Sequence, residues 1–202
     1  MAHIREVDAI LHVARAFQND KVPHVHNKIN PAQDIEVVNL ELELAGIKKP
    51  TIYVLNVSEQ DLGKVEAEID GIKAIPIAAK LEAEIGELEV SEQQKWWEEL
   101  GVSSGLDRVI KASYQLLNLI TFFTVAGGVQ AQAWPVKTGT KMIEAAQIVH
   151  TDFAANFIKA EVISWDKLVE VGGLAAAREK GLIKTSGRDE EVSDGDVIEF
   201  KI

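Results

Sequence analysis

The chain has no cysteine among its 202 residues, which excludes disulfides and thiolate metal sites and fits a reducing, cytoplasmic setting. It lacks an apolar leader: His3, Arg5 and Glu6 interrupt the amino terminus, so no signal peptide is expected. It lacks a membrane-length run as well. The longest apolar stretch, residues 116–129, is broken by Asn118, Thr121 and Thr124 and is shorter than the ~18 residues a span needs. Basic excess is also missing. The net charge is −11, with 12 Lys+Arg against 20 Asp+Glu in residues 1–118 and 9 against 12 in residues 119–202. A generic binder of phosphate backbones needs the opposite sign, so no generic DNA binding is expected and any RNA contact must come from a local patch. Aromatic residues make up only 6%, yet 47% hydrophobic residues suffice for a globular core. Finally, no Gly-x-x-x-x-Gly-Lys-Ser/Thr occurs, so these residues contain no phosphate-binding loop.

What is present begins with short apolar strands. Residues 8–17, 50–55 and 74–77 read as strands separated by helical patterns, the signature of a parallel sheet with crossover helices. Asp34 is the expected cap of a helix to about Ala45, with Val37, Val38, Leu40 and Leu44 as its apolar positions. Residues 61–69 are a further helical candidate. Ser91 is the expected cap of a helix through Trp96, Trp97 and Leu100 that stops at Gly101, and Ser103 or Ser104 caps the next. The two adjacent tryptophans cannot both face one core, so one is expected to be partly exposed.

The pattern changes near Leu119. Residues 120–125 and 129–136 read as strands around a Gly127-Gly128 turn. A helix follows over 140–150, then strands at 157–164 and 197–201, the last after an Asp194-Gly195 turn. The helix face Met142, Ala145, Ala146 and Val149 is expected to cover Ile120, Phe122, Val162 and Val197. The expected fold is therefore α/β then α+β: a partial parallel sheet of the P-loop NTPase type in residues 1–118, then a ubiquitin-like β-grasp domain in residues 119–202.

The strand ending at Leu55 runs at once into Asn56-Val57-Ser58-Glu59, and the one ending at Ile77 into Ala78-Ala79-Lys80. Ligands of parallel sheets sit beyond the carboxyl ends of strands. An Asn amide both donates and accepts, which suits N7 and the exocyclic group at C6 of a purine. An Asp three residues later would accept from both N1–H and the C2 amine of guanine. Here that residue is Glu59, whose extra methylene moves the carboxylate and leaves adenine no longer disfavoured. Ala78 and Ala79 offer backbone N–H groups and Lys80 an aliphatic stem to lie over the ring. Asn56 and Glu59 equally suit the capping of a following helix, and N-x-x-E alone does not choose between the roles.

Other constellations are weaker. His24-Val25-His26 has no third ligand nearby in the sequence, and His150-Thr151-Asp152 reads as a structural turn, since adjacent residues do not make a triad. No candidate general base or magnesium ligand is apparent.

Residues 2–10, Asp34-Ile35-Glu36-Val37 with Glu41-Leu42, the Asn56–Glu59 motif, Ala78-Ala79-Lys80-Leu81-Glu82-Ala83-Glu84 and Gly105-Leu106-Asp107-Arg108 occur in one order. So do Thr121-Phe122-Phe123-Thr124, Ala133-Trp134, Ala145-Ala146, His150-Thr151-Asp152-Phe153, residues 157–162 and Asp194-Gly195-Asp196. Together they resemble the YchF family of Obg-related P-loop ATPases over nearly the whole chain, with the last part similar to that family's C-terminal TGS domain. The resemblance implies a cytoplasmic nucleotide-binding protein, handling ATP and also GTP with Mg2+, that associates with ribosomes. It implies that Asn56, Val57 and Glu59 read the base and that Ala78, Ala79 and Lys80 form the fifth nucleotide motif, where the family has Ser-Ala-Lys. It also implies a phosphate loop and switch segments ahead of residue 1 and a helical insertion between about Ala45 and Pro50, where only Gly46, Ile47, Lys48 and Lys49 stand. A chain lacking them is expected to be inactive as an ATPase. The alternative is a non-catalytic protein or RNA interaction module working through the TGS domain.

Overall fold

A computed structural model describes residues 3–25, 28–65, 68–126 and 130–202. The expected Gly127-Gly128 turn and His26 lie outside the described residues. The chain divides into two compact units, Met1–Leu117 and Asn118–Ile202.

The first unit is built on a four-stranded sheet of order β1-β2-β4-β3, from β1 (Ile10–Arg15), β2 (Thr51–Asn56), β3 (Glu68–Ile69) and β4 (Ile72–Ile77). The first three in space run parallel, and β3 adds antiparallel to β4. The register sets Arg15 opposite Asn56 and Asn56 opposite Ile77, so three strands end level with one another. Helix α1 (Pro31–Leu44) covers one face. Ile35, fully buried, packs among Ala14, Leu55, Val57 and Ala74. After β4 come α2 (Ala79–Gly86), α3 (Val90–Leu100), which packs on α2, and α4 (Gly105–Leu117), which returns to pack against β4 and β2.

Several expectations need correction here. The cap of α1 is Asn30, whose side chain accepts from Gln33 N, with Pro31 at the first helical position; Asp34 lies in the first turn. Val37, Val38, Leu40 and Leu44 are exposed; α1 turns Ile35 into the core instead, and Asn39 bonds the Tyr53 hydroxyl. The described residues of 61–69 form no α-helix. A 3-10 turn at Glu59–Asp61 leads to Gly63 at φ +80°, and β3 then folds back on β4. The cap position of α3 is Glu89 rather than Ser91. Ser104 does cap α4, accepting from Asp107 N, and Trp96 is the exposed tryptophan while Trp97 packs on Ala78, Leu81 and Ile85.

The second unit is a five-stranded sheet of order β6-β5-β9-β7-β8. Its strands are β5 (Leu119–Ala126), β6 (Gln130–Lys137), β7 (Lys159–Ser164), β8 (Lys184–Ser186) and β9 (Asp196–Lys201). The hairpin β5–β6 is antiparallel, β5 and β9 are parallel, and β7 pairs antiparallel with both β9 and β8. Helix α5 (Met142–Val149) buries Met142, Ala145 and Ala146 against Phe122, Phe157, Ala160, Val162 and Ile198. Helix α6 (Thr151–Ala155) follows, with His150 Nδ1 accepting from Asp152 N. Val197 belongs to the opposite face, contrary to expectation. There it packs with Ile163 and Ala177 under α7 (Trp165–Val171) and α8 (Leu174–Glu179), because successive residues of a strand point to opposite sides. The fold is thus mixed α/β with one mainly parallel and one mainly antiparallel sheet. Among the described residues no helix is long and apolar enough to cross a membrane.

Candidate functional site

The residues singled out at the two strand ends meet in space. Pairing of Asn56 with Ile77 sets both ends at one edge of the sheet, and Val57 N continues the ladder to Ile77 O at 2.8 Å. From there the Asn56 side chain crosses to the other segment: its Oδ1 accepts from Ala79 N at 3.2 Å. Ala79 is the first residue of α2, so Asn56 satisfies one of the donors that every helix leaves open at its start. The capping role foreseen for Asn56 is therefore real, but the helix it serves is α2, 23 residues away. Its Nδ2 has no hydrogen-bond partner among the described residues.

The other candidates divide into buried and exposed. Val57 and Ala78 are buried and shape the backbone. Glu59 is exposed and opens a 3-10 turn in which Leu62 N returns to Glu59 O, so its carboxylate caps no helix. Ser58 Oγ donates to Asp61 Oδ2 at 2.6 Å and holds that turn closed. Lys80 is exposed and lies 3.4 Å from Glu84 as an i,i+4 pair, a contact of little energetic weight at the surface.

Two residues that had no assigned role brace this edge. Glu82 Oε2 accepts from Ser104 Oγ at 2.9 Å and Oε1 from Gly105 N at 2.5 Å, placing a carboxylate on the positive end of α4. Arg108 Nη2 donates to Pro76 O at 2.6 Å and so fixes the end of β4 from α4. Glu82 and Arg108 both lie within the sequence motifs quoted above, but their partners are 23 and 32 residues away, and no local pattern announces the contacts.

Among the described residues no three His, Asp or Glu side chains gather as a metal site. His24, the described half of the His24/His26 pair, has Nε2 at 3.0 Å from Asp34 Oδ2. What stands at this edge is a half-buried amide, the backbone of two strand ends and an exposed lysine; the 202 residues contain no Gly-x-x-x-x-Gly-Lys-Ser/Thr.

Comparison with known proteins agrees with this architecture. Residues 119–202 match the family YchF-GTPase_C, whose description reads "Protein of unknown function (DUF933)". The chain is 36% identical over 274 residues to the ribosome-binding ATPase YchF of Bacillus subtilis (strain 168), spanning 100% of this chain and 75% of that protein. It is 33% identical over 270 residues to the protein of the same name from Escherichia coli O157:H7, and 30% identical over 277 residues to Obg-like ATPase 1 of Gallus gallus. An alignment of 274 positions exceeds the chain's 202 residues by 72, so part of the Bacillus relative has no counterpart inside this chain. The solved structure of the Schizosaccharomyces pombe YchF GTPase matches with a TM-score of 0.77 at 23% identity, over 99% of this chain and 74% of that one, which shows a shared fold. With full-length identity at this level to several of its proteins, the chain belongs to the YchF family.

Proposed function

We propose that the first unit carries the base-reading half of a purine nucleotide site, with Asn56, Val57 and Glu59 on one strand end and Ala78, Ala79 and Lys80 on the other. The observation that carries this reading is the 3.2 Å bond from Ala79 N to Asn56 Oδ1, which ties the two ends together. Glu59 in place of Asp favours ATP while still admitting GTP, with Mg2+ accompanying the phosphates. The 202 residues hold no phosphate loop, and catalysis of phosphoryl transfer consists mainly of positioning phosphate and metal, so this chain by itself does not hydrolyse ATP.

The second unit is read as a TGS-type β-grasp module that contacts partners. Support comes from the order β6-β5-β9-β7-β8 with a parallel central pair, the hairpin-helix-strand arrangement of that fold. Curated relatives carry the name ribosome-binding ATPase, so the partner proposed is the ribosome, with a local RNA contact and a cytoplasmic location. A second reading is a non-catalytic protein or RNA interaction module working through this unit, whose sheet carries helices on both faces.

Titration of the 15N-labelled chain with adenosine, guanosine and Mg-ATP tests the choice. Shifts confined to residues 56–59 and 78–80, with affinity in the millimolar range or weaker, support the base site, since a few net contacts of about 1 kcal/mol each allow no more. Loss of those shifts in Asn56→Ala, and a turn toward guanosine in Glu59→Asp, complete the expectation. Absence of any shift at these residues leaves the interaction module as the working part.

A further inference from the structure

A cleft of about 590 Å3 opens in the first unit between α2, α3 and the start of α4, within the roughly 300–1,000 Å3 of typical ligand sites. Its walls include Ile85, Val90, Trp97 and Leu106, and Glu98 and Asp107 stand among its lining residues; none of the lining residues is Lys, Arg or His. The apolar part is only half closed. Val90 is 80% and Leu106 53% exposed, although both are large aliphatic side chains that water solvates poorly. Trp97 is held by packing on Ala78, Leu81 and Ile85, so its ring is a fixed platform rather than a mobile one.

Charge around this cleft is strongly one-sided. The charged residues lining it, Glu82, Glu98 and Asp107, are all acidic, and residues 82–107 as a whole contain eight acidic side chains, of which Glu84 pairs with Lys80, and one basic one, Lys95. Glu82 is spent on Ser104 and Gly105. Glu98 receives only a neutral amide from Gln94, and among the described residues no cation lies within ion-pair distance of Glu98 or Asp107. Uncompensated carboxylates beside an exposed apolar trough and a fixed indole match one chemistry: guanidinium or ammonium groups alternating with aliphatic side chains. A guanidinium can stack on Trp97 and still reach a carboxylate, while an aliphatic neighbour covers Val90 and Leu106.

We infer that this cleft docks a basic, partly apolar peptide segment of a partner protein. Nucleic acid and other polyanions are repelled by it. A second copy of this chain seated face to face is repelled too, since it would set Glu98 and Asp107 against their own counterparts. The inference is independent of the base site, from which it differs in residues and in ligand charge.

The test uses the full chain and a fluorescein-labelled nine-residue peptide of alternating Arg and Leu. Two further peptides serve as controls, one with Glu for Arg and one with Ser for Leu. Anisotropy should show binding of the Arg/Leu peptide, weakening as salt is raised, with the Trp97 indole N–H resonance moving on titration. Glu98→Lys with Asp107→Lys, both at the surface, should weaken that binding about tenfold, the effect of two lost favourable charges turned repulsive. Val90→Ser should weaken the Arg/Leu peptide and leave the Arg/Ser peptide unchanged. Equal binding of all three peptides, unchanged affinity in the charge-reversed chain, a still Trp97 resonance, or self-association of the chain through these residues would each overturn the proposal.

Discussion

Gly105 N lies 2.5 Å from Glu82 Oε1, and a Cβ on Gly105 would stand 2.5 Å from Ile77 Cγ2. Helix α4 therefore starts where it does for two reasons: a carboxylate receives its first N–H groups, and only glycine lets it approach the end of β4. Gly105→Ala should cost the first unit about 1–3 kcal/mol through overpacking. Glu82→Gln should cost about 1 kcal/mol, because a neutral acceptor is weaker at a helix start. Urea melts followed by residue-resolved NMR would measure both. Because the two residues share one contact, the double variant should lose less than the sum.

The Asp194-Gly195-Asp196 turn joins β9 to β5 in the second unit. Asp194 Oδ1 accepts from Thr121 N at 2.8 Å, Gly195 N donates to Thr121 O at 2.8 Å, and Gly195 has φ +81°. A Cβ there would also lie 2.6 Å from Trp165 Cδ1. Gly195→Ala should destabilise this unit by about 1–2 kcal/mol, chiefly through the left-handed backbone, and calorimetry would detect the lower Tm.

Asp196, beside it, titrates in a direction that can be checked. Burial raises its carboxyl pKa, opposed by the N–H of Ser193 at 2.9 Å and by the charge of Lys184. With the folded value above the unfolded one, the ionised form carries a penalty at neutral pH that disappears as pH falls through the folded pKa. Asp196→Asn should therefore raise Tm at pH 7, and the gain should shrink in acid. A gain that persists unchanged at low pH would mean the charge is not its source.

His12 provides the reverse case in the first unit. The ring is buried, its Nδ1 has no hydrogen-bond partner among the described residues, and the Tyr53 ring lies 5.5 Å away. Burial lowers its pKa from the ordinary 6.5, against weaker raising contributions from Asn39 and Asp34. The unfolded chain then takes up the proton first. Stability from this site is complete above about pH 6.5 and is lost as pH falls from there toward the folded pKa. Between pH 7.5 and 5.5, His12→Leu should lose less stability than the parent chain, as read from thermal melts at both values.

The strands were legible in the sequence because short apolar runs between polar stops have few other uses, and Asn56 with Ala78-Ala79-Lys80 was legible because polar residues stood where strands stopped. The parity of β9 was not. Val197 and Ile198 are equally apolar, and only the presence of α7 and α8 on the far side explains why both are buried. Those two helices span seven and six residues, too short for periodicity to declare them. Helix α1 misled for the opposite reason: its apolar residues recur at helical spacing, yet Val37, Val38, Leu40 and Leu44 are exposed and Ile35 is the fully buried one. The contact between Glu82 and Gly105 joins residues 23 apart and leaves no local periodic signal.

The last prediction concerns folding of the second unit alone. Residues 118–202 should fold without the rest. Their sheet is covered on both faces, by α5 through Phe122, Ala146 and Ile198, and by α7 and α8 through Ile163, Ala177 and Val197. The β5–β6 hairpin is long, pairing from Leu119 with Lys137 to Ala126 with Gln130, and β9 closes the sheet between β5 and β7. A domain of about 85 residues is within the size that folds independently, with little stability to spare. Residues 1–117 stand differently. Among the described residues β1 pairs only with β2, and Leu11 and Val13 on it are each about half exposed, so its outer edge is a template for association. Expressed separately, 118–202 should give dispersed amide signals and a cooperative melt, whereas 1–117 should self-associate or remain partly unfolded. A cooperative melt for 1–117 beside an unfolded 118–202 would refute the assignment of stability to the two-sided sheet.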